Sequence, residues 1–206
     1  MQQSITGIVL AGGKSSRMGS DKALLLIDGV PMLRLVCDRA LSICDRVYIV
    51  TPWQERYQQL LLARCQFIRE VQPQGEDNAP ILGFAQGLAQ VNTDWILLLA
   101  CDLPRLQVGV LQSWVKQLNN SQAIALLPRH AKGWEPLCGF YHRDCLTGLT
   151  DFINQGGRSF QHWLKQHPVQ TLTVPDAQML FNCNTPDDIA AIEVEPTSHG
   201  NGLAIP

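Results

Sequence analysis

The sequence predicts an α/β fold in which helices cover both faces of a mostly parallel sheet, a three-layer α/β/α arrangement. Two observations carry this prediction. Short apolar runs alternate with segments of helical periodicity over the first two-thirds of the 206 residues. One run, Trp95 to Ala100, is apolar throughout, which is typical of a central strand that is covered on both faces. Strands joined by crossover helices are expected to lie parallel, with right-handed connections.

The first half of the chain alternates strands with helices. The predicted elements are a strand at Ile5 to Leu10, a helix with an apolar stripe from Leu33 to Cys44, a strand at Val47 to Val50, a helix at Glu55 to Ala63, a strand at Gln66 to Arg69, and a helix with Ile81, Phe84, Ala85 and Leu88 on one face. The first stripe has apolar residues at offsets of 3, 4, 7, 8 and 11 residues, which share one side of a helix. The segment from Gln72 to Pro80 has the prolines, glycine and polar residues of a loop.

The second half departs from strict alternation. After the central strand we expect a helix at Gln107 to Leu118, strands at Ala123 to Leu127 and Leu137 to Tyr141, helices at Cys145 to Asn154 and Phe160 to His167, and a strand at Thr171 to Val174. Thr185 and Pro186, followed by two aspartates, have the composition of a helix start. We predict one domain over residues 1–192 and a flexible C-terminal tail over residues 193–206, which mixes Pro, Gly, Ser and Asn.

Composition and charge argue against several classes of protein. The 16 Lys and Arg residues against 18 Asp and Glu leave a net charge of -2, so the chain has no bulk attraction for a nucleic acid. The longest apolar runs are far shorter than the roughly 20 residues that span a bilayer. The seven cysteines are odd in number and contain no C-x-x-C pair, which favours neither a disulfide framework nor a zinc site. We expect a cytoplasmic protein with no nucleic-acid or membrane partner.

The first candidate site follows the first strand, because ligands of parallel sheets bind at the carboxyl ends of the strands. The segment from Leu10 to Lys22 is rich in glycines and small hydroxyls, so its backbone can approach a ligand closely and direct N–H groups at an anion. Lys14, Arg17 and Lys22 add three positive charges within nine residues. These features predict a site for a triphosphate. The spacing matches neither the Walker A loop nor the G-x-G-x-x-G fingerprint, and a basic surface loop is the alternative.

The second candidate site follows the central strand. Asp102 comes directly after that strand, where the edge of the sheet would present its carboxylate to the same cleft as the first segment. A carboxylate that faces phosphates is best explained by a bridging Mg²⁺. The alternative is an Asp that caps the following Leu103-Pro104 turn, and the residues alone do not choose between the two.

Seven short motifs occur in order between about residues 5 and 192. They are residues 10–24 (LAGGKSSRMGSDKAL), 29–33 (GVPML), 80–83 (PILG), 101–104 (CDLP), 135–138 (EPLC), 157–159 (GRS) and 182–186 (NCNTP). Together they resemble the molybdenum cofactor guanylyltransferases. The resemblance implies a Rossmann-like fold of the nucleotide-diphospho-sugar transferase type. It also implies a Mg²⁺-dependent reaction that transfers GMP from GTP to the molybdenum-molybdopterin cofactor and releases pyrophosphate.

The resemblance also implies roles for individual residues. The nucleotide would be bound by Leu10, Ala11, Gly12, Gly13, Lys22, Glu70 and Asp102. Arg17 and Lys22 would hold the phosphates and neutralise charge as pyrophosphate leaves, and Asp102 would bind Mg²⁺. The pterin side would be contacted by Arg158, Asn182 and Asn184. Ordinary structure is the alternative for Glu70, as a solvated acid at a strand end, and for the two asparagines, as turn residues.

Guanine specificity is inferred from Gly12 and Gly13, because the sister cytidylyltransferases tend to open with Leu-Ala-Ala-Gly. The chain departs from the family at Thr51-Pro52, where an Asn is frequent, and at Ala79, where a glycine is frequent. The alternatives are the same chemistry with CTP, transfer to a sugar phosphate, or a non-catalytic carrier of nucleotide or cofactor. Partners implied by the family are proteins of molybdopterin synthesis and apo-molybdoenzymes.

Overall fold

The computed structural model describes residues 3–13, 21–60, 62–71, 79–183 and 188. Their strands are β1 (Ile5–Leu10), β2 (Leu26–Ile27), β3 (Val30–Pro31), β4 (Arg46–Thr51), β5 (Cys65–Arg69), β6 (Trp95–Ala100), β7 (Ala125–His130), β8 (Gly133–Trp134), β9 (Cys138–His142) and β10 (Val169–Leu172). Their α-helices are α1 (Met32–Leu41), α2 (Gln54–Tyr57), α3 (Pro80–Leu88), α4 (Val108–Leu118), α5 (Cys145–Asn154) and α6 (Phe160–Leu164). Short 3-10 helices lie at Lys22–Leu24, Gln58–Leu60 and Ala177–Leu180.

The main sheet is mostly parallel, as predicted. Its strand order is β10-β7-β9-β6-β1-β4-β5, with β8 paired to β7. β1 pairs in parallel with β4 and β6, β4 with β5, and β7 with β10. β9 runs antiparallel to both of its neighbours, β6 and β7. Six of the seven strands on this path therefore end at the same edge of the sheet, and β6 lies in the middle, which confirms the prediction of a central strand.

Helices cover both faces of the sheet and produce the predicted three layers. On one face, Phe84 of α3 lies 4.8 Å from Tyr141 of β9 and 5.8 Å from Phe160 of α6, measured between ring centroids. On the other face, Val36 of α1 and Trp114 of α4 are buried in a second apolar cluster. Six of the seven cysteines are buried and Cys101 is partly buried, and all seven are free thiols. Within the described ranges, no helix is both long and apolar enough to cross a membrane.

Several predicted elements have different bounds in the structure. The helix predicted over residues 55–63 stops at Tyr57 and continues as a 3-10 turn. The helix predicted over residues 160–167 ends earlier, at Leu164, and Pro168 disfavours helical backbone at His167. The last strand begins at Val169 and not at Thr171, because Val169 already pairs with Ala125. Asp188 is the only part of the predicted last helix that lies inside the described residues, and the predicted tail lies outside them.

Two small strand pairs were not predicted from the sequence. β2 and β3 form a hairpin whose turn residues, Asp28 and Gly29, have φ of 51° and 77°. Asp-Gly is a preferred pair for a turn that needs two positive φ angles, so the hairpin had a local signal. β8 folds back on β7 with Arg129 opposite Trp134. This second hairpin projects from the edge of the sheet at which β6 ends.

Candidate active site

A cavity of about 350 Å³ lies at the carboxyl edge of the sheet. It is lined by Leu10, Ala11, Gly12, Gly13, Asp21, Lys22, Ala23, Tyr57, Glu70, Pro80, Ala100, Cys101, Asp102, Leu103, Glu135, Pro136, Leu137, Cys138 and Asn182. The two segments that the sequence marks as candidate sites thus meet in one place. They meet because β1 and β6 are parallel neighbours, with Leu10 paired to Ala100, so both strands deliver their next residues to the same edge.

Hydrogen bonds hold the glycine-rich segment against the ends of its neighbouring strands. The N–H of Ala11 donates to the carbonyl of Val50 at 2.9 Å, and the N–H of Cys101 donates to the carbonyl of Leu10 at 3.1 Å. The hydroxyl of Thr51, which is fully buried, donates to the carbonyl of Ala11 at 2.9 Å. Thr51, which departs from the family pattern, therefore supports the cavity wall from behind and is not among the lining residues.

Asp102 and Lys22 bring opposite charges to the cavity. Burial raises the pKa of the Asp102 carboxyl, while the positive charge of Lys22 and the backbone N–H of Asp102 itself act in the opposite direction. Lys22 opens the 3-10 turn that follows the glycine-rich segment. The carbonyl of Asp102 accepts the N–H of Cys183 at 3.0 Å, which brings Asn182 to the same cavity. Asp102 can therefore bind a cation in the same cavity to which Lys22 brings a positive charge.

Glu70 is another carboxylate in the cavity wall. It is not a solvated acid at a strand end, because only 7% of its surface is exposed. It follows β5, and its side chain packs against two glycines. A Cβ on Gly12 would lie 2.0 Å from Oε2 of Glu70, and a Cβ on Gly83 would lie 3.0 Å from Oε1. Burial raises the pKa of the Glu70 carboxyl. The two glycines therefore make room for a carboxylate that faces the cavity.

Replacing Glu70 by Gln is expected to stabilise the fold at high pH and not at low pH. The pKa of Glu70 is raised in the folded state, so the folded protein is penalised for the ionised form. That penalty is absent below the ordinary value of 4.5, grows as the pH rises from that value to the raised value, and is complete above the raised value. We expect the Tm of Glu70→Gln to exceed that of the wild type by roughly 2 to 4 °C at pH 8, the shift produced by about 1 kcal/mol in a domain of this size.

The measurement is thermal unfolding between pH 4.5 and pH 8, where the two curves should converge as the pH falls. Glu55→Gln is the matched control, because 65% of the Glu55 side chain is exposed. A constant difference between the Glu70→Gln and wild-type Tm values at all pH values would contradict the expectation.

The other predicted site residues lie in three kinds of place. Gly13 and Asn182 line the cavity. The guanidinium of Arg158 donates to the carbonyls of Ile153 at 2.9 Å and Gly157 at 2.8 Å, and Arg158 is not among the lining residues. Lys14, Arg17 and Asn184 lie outside the described residues.

Several lining residues were not predicted from the residue pattern. Tyr57 lies in a short helix whose sequence carries no sign of a site, and only the packing of α2 against the carboxyl edge brings it there. Glu135 belongs to one of the recognised motifs but had no assigned role. It contacts Nε2 of His130, whose Nδ1 accepts the N–H of Lys132 at 3.0 Å. This arrangement places the proton of the neutral imidazole on Nε2, where it is donated to Glu135.

Glycines that permit close approach, beside one positive and four negative side chains among the lining residues, suit a charged nucleotide with a cation better than an apolar ligand. With the cavity at the carboxyl edge of a parallel sheet, they define an α/β protein of the nucleotide-binding class. The chain belongs to the MobA-like NTP transferase domain family, whose model matches residues 7–171.

Similar proteins agree with this membership. A Trichormus variabilis protein named "Probable molybdenum cofactor guanylyltransferase" is 61% identical over 93% of this chain and 91% of the relative. A protein of the same name from Synechococcus elongatus is 43% identical over 91% of this chain and 97% of the relative. The crystal structure of molybdopterin-guanine dinucleotide biosynthesis protein A from Archaeoglobus fulgidus has a TM-score of 0.74 at 23% identity, over 91% of this chain and 96% of that chain. These findings confirm the resemblance and the fold predicted from the sequence.

Proposed function

We propose that this protein transfers GMP from GTP to the molybdenum-molybdopterin cofactor, forming molybdopterin guanine dinucleotide and releasing pyrophosphate. The observation that carries the proposal is the meeting of Gly12, Lys22, Glu70 and Asp102 in one cavity of a MobA-like NTP transferase. Relatives with 61% and 43% identity are named for this activity. Nucleotidyl transfer needs positioning and charge stabilisation more than covalent catalysis, and these side chains offer both.

Asp102 is the residue that would hold Mg²⁺. Within the described part of the chain, no group of three or more His, Cys, Asp or Glu side chains could hold a metal ion. A single carboxylate nevertheless fits Mg²⁺, which keeps waters and is commonly bound by one or two carboxylates together with substrate phosphates. Such an ion would neutralise charge on the phosphates of GTP. Asp102, which lies in the cavity wall, would orient the triphosphate through that ion.

Lys22 would bind the phosphates directly. It enters the cavity from the turn after the glycine-rich segment, and its charge acts on Asp102. As the bond between the α- and β-phosphates breaks, negative charge builds on the leaving pyrophosphate, and a fixed ammonium group stabilises it. Arg17, from the same segment, would contribute a second positive charge.

Glu70 would select guanine. The Watson-Crick edge of guanine presents two adjacent donors, N1–H and the 2-amino group, and an ionised carboxylate accepts both. Cytosine presents the acceptor N3 beside its amino group, which a carboxylate would repel. Gly12 leaves space for the Glu70 side chain, because a Cβ at position 12 would collide with its carboxylate. Glycine at position 12 therefore favours guanine by allowing Glu70 to occupy this place. An alanine at position 12, as in the cytidylyltransferase opening, would displace that carboxylate.

Replacing Gly12 by Ala is therefore expected to lower kcat/KM for GTP by about ten- to a hundredfold, because hydrogen bonds to a charged group are lost when Glu70 moves. Shortening the displaced side chain should recover part of the loss, so the double variant Gly12→Ala/Glu70→Asp is expected to exceed Gly12→Ala alone. The measurement is pyrophosphate release at varied GTP. Gly109→Ala is the control, since a Cβ there meets nothing within 4 Å. Unchanged GTP kinetics in Gly12→Ala would contradict the role of Glu70.

The acceptor side is proposed from Asn182, with Arg158 and Asn184. Asn182 lines the cavity beside the Asp102 backbone, which suits an acceptor whose phosphate must reach the α-phosphorus of GTP. Proteins of molybdopterin synthesis and apo-molybdoenzymes would supply the acceptor and receive the product. We propose that the reaction takes place in the cytoplasm.

Incubation with each nucleoside triphosphate, Mg²⁺ and molybdopterin tests the proposal. We expect a guanine dinucleotide product with GTP and no turnover without a divalent cation. Turnover with CTP and not GTP would support the cytidylyltransferase alternative. Turnover with a sugar phosphate in place of molybdopterin would support a sugar-phosphate nucleotidyltransferase. Tight GTP binding without product formation would support a carrier.

A further inference from the structure

Tyr57 is a buried tyrosine in the wall of the cavity. It lies at the end of α2 and only 1% of its surface is exposed. Its hydroxyl donates a hydrogen bond of 2.7 Å to Oδ2 of Asp21. Burial, followed by this hydrogen bond, raises the pKa of Tyr57, so the phenol stays protonated and continues to donate. Tyr57 and Asp21 are separated by 36 positions in the chain and meet only through the fold.

Asp21 uses both of its carboxylate oxygens. Oδ1 accepts the N–H of Ala23 at 3.2 Å, which caps the 3-10 turn that begins at Lys22. Oδ2 accepts the hydroxyl of Tyr57 and lies 3.5 Å from Nη1 of Arg56. The guanidinium of Arg56 in turn stacks over the ring of Trp53 at 4.8 Å. Helix α2 therefore supplies one hydrogen-bond donor and one ion-pair partner to the carboxylate that caps the turn of Lys22.

These contacts partner the negative charge of Asp21, which lies in the cavity wall. Asp21 lines the same wall as Lys22 and would repel a triphosphate if its charge faced the cavity without partners. The phenol of Tyr57 and the guanidinium of Arg56 both contact Oδ2 of Asp21, so its negative charge is partly neutralised on the side of α2. With the 3-10 turn of Lys22 held in this way, its ammonium would meet the phosphates of a bound nucleotide at little entropic cost.

We propose that Tyr57 is a positioning residue for nucleotidyl transfer, which acts through Asp21 to orient Lys22 towards the phosphates. The inference rests on the proposed function and extends it to a residue outside every recognised motif. Tyr57 itself touches neither the nucleotide nor a metal ion in this role.

The test is the variant Tyr57→Phe, which removes the hydroxyl and keeps the ring. We expect kcat for pyrophosphate release from GTP to fall by about tenfold, the effect of losing one hydrogen bond to a charged group. KM for GTP should change by less than about threefold, because the effect of a positioned ammonium is greatest when charge builds on the leaving group. Tyr48→Phe is the matched control, since the Tyr48 hydroxyl accepts a surface hydrogen bond from Arg46 and does not line the cavity.

A double-mutant cycle separates positioning from general support of the fold. In a Lys22→Ala background, Tyr57→Phe should lower kcat by less than about twofold, because the group that it orients is gone. A loss of about tenfold in that background would overturn the inference, as would wild-type kcat in the single Tyr57→Phe variant.

A second measurement does not depend on the acceptor or on the base. Binding of pyrophosphate with Mg²⁺, measured by calorimetry, should weaken by about threefold to tenfold in Tyr57→Phe and be insensitive to Tyr57→Phe when Lys22 is already Ala. Wild-type protein that binds pyrophosphate but does not turn over GTP would refute the proposed function alone. Pyrophosphate binding that is equal in wild type and Tyr57→Phe would refute the positioning role alone.

Discussion

Asp102→Asn is expected to lower kcat/KM for GTP by about a thousandfold in the presence of Mg²⁺ and molybdopterin, the largest loss that we predict for a single substitution. Asn keeps the shape of the side chain but loses the charge that would hold the metal ion. Asp102 is the first acid after the central strand β6, which ends two residues earlier at Ala100, and it shares the cavity with Lys22. No neighbouring group of three or more metal-binding side chains in the described ranges could replace it. The measurement is initial-rate kinetics at several Mg²⁺ concentrations.

Two further observations would separate this effect from damage to the fold. Burial raises the pKa of Asp102, so Asn at this position removes a buried charge and should not lower the Tm. Higher Mg²⁺ should restore part of the activity if the loss is one of metal affinity. Asp151→Asn, on the exposed face of α5, is the control. If the kcat/KM of Asp102→Asn stays within about tenfold of the wild-type value, Asp102 is not the metal ligand.

Lys22→Ala is expected to lower kcat by about a hundred- to a thousandfold, the usual effect of removing one charge-stabilising donor from a transition state. The same variant should be less sensitive to inhibition by pyrophosphate, because Lys22 would bind the leaving group as well as the substrate. Steady-state kinetics with added pyrophosphate measure both effects. The separation between kcat and KM is informative, since stabilisation that is greatest in the transition state lowers kcat more than it raises KM.

Lys116→Ala is the matched control for this second prediction, because Lys116 is an exposed lysine on α4 and does not line the cavity. Lys22→Arg tests whether charge alone suffices. An arginine keeps the charge but presents a planar, longer group, so partial activity is expected. Pyrophosphate inhibition of Lys22→Ala equal to that of the wild type would contradict direct contact with the phosphates.

Local pattern was enough to predict most of the fold. The predicted bounds agree with the observed ones for the strands Ile5–Leu10 and Trp95–Ala100 and for the helix Cys145–Asn154. Prediction was weakest where the local helical composition and the tertiary packing favour different structures. Glu55 to Ala63 has helical composition, yet the α-helix ends at Tyr57, whose side chain is buried beside Asp21. The antiparallel direction of β9 could not be derived either, because the apolar runs of β7 and β9 have no direction of their own.

The candidate site divides in a similar way. Gly12, Lys22 and Asp102 were predicted because strand ends in a parallel sheet share an edge, a rule that needs only the order of the elements. Glu70 could be proposed only through the family resemblance, with a solvated acid as the alternative. Its burial against Gly12 and Gly83 excludes that alternative, and these three residues come from three separate segments of the chain.

What can be read along one segment of this chain is therefore already present in the amino-acid order: the strands and helices, the glycine-rich turn with its lysine, and the acid after the central strand. The pairing of Tyr57 with Asp21, the space for Glu70 beside Gly12, and the support of Ala11 by Thr51 arise when distant segments pack together. The physical reason is that periodicity and turn chemistry act between near neighbours in sequence. The distance between two side chains from different strands depends on sheet order, strand direction and packing of the whole core.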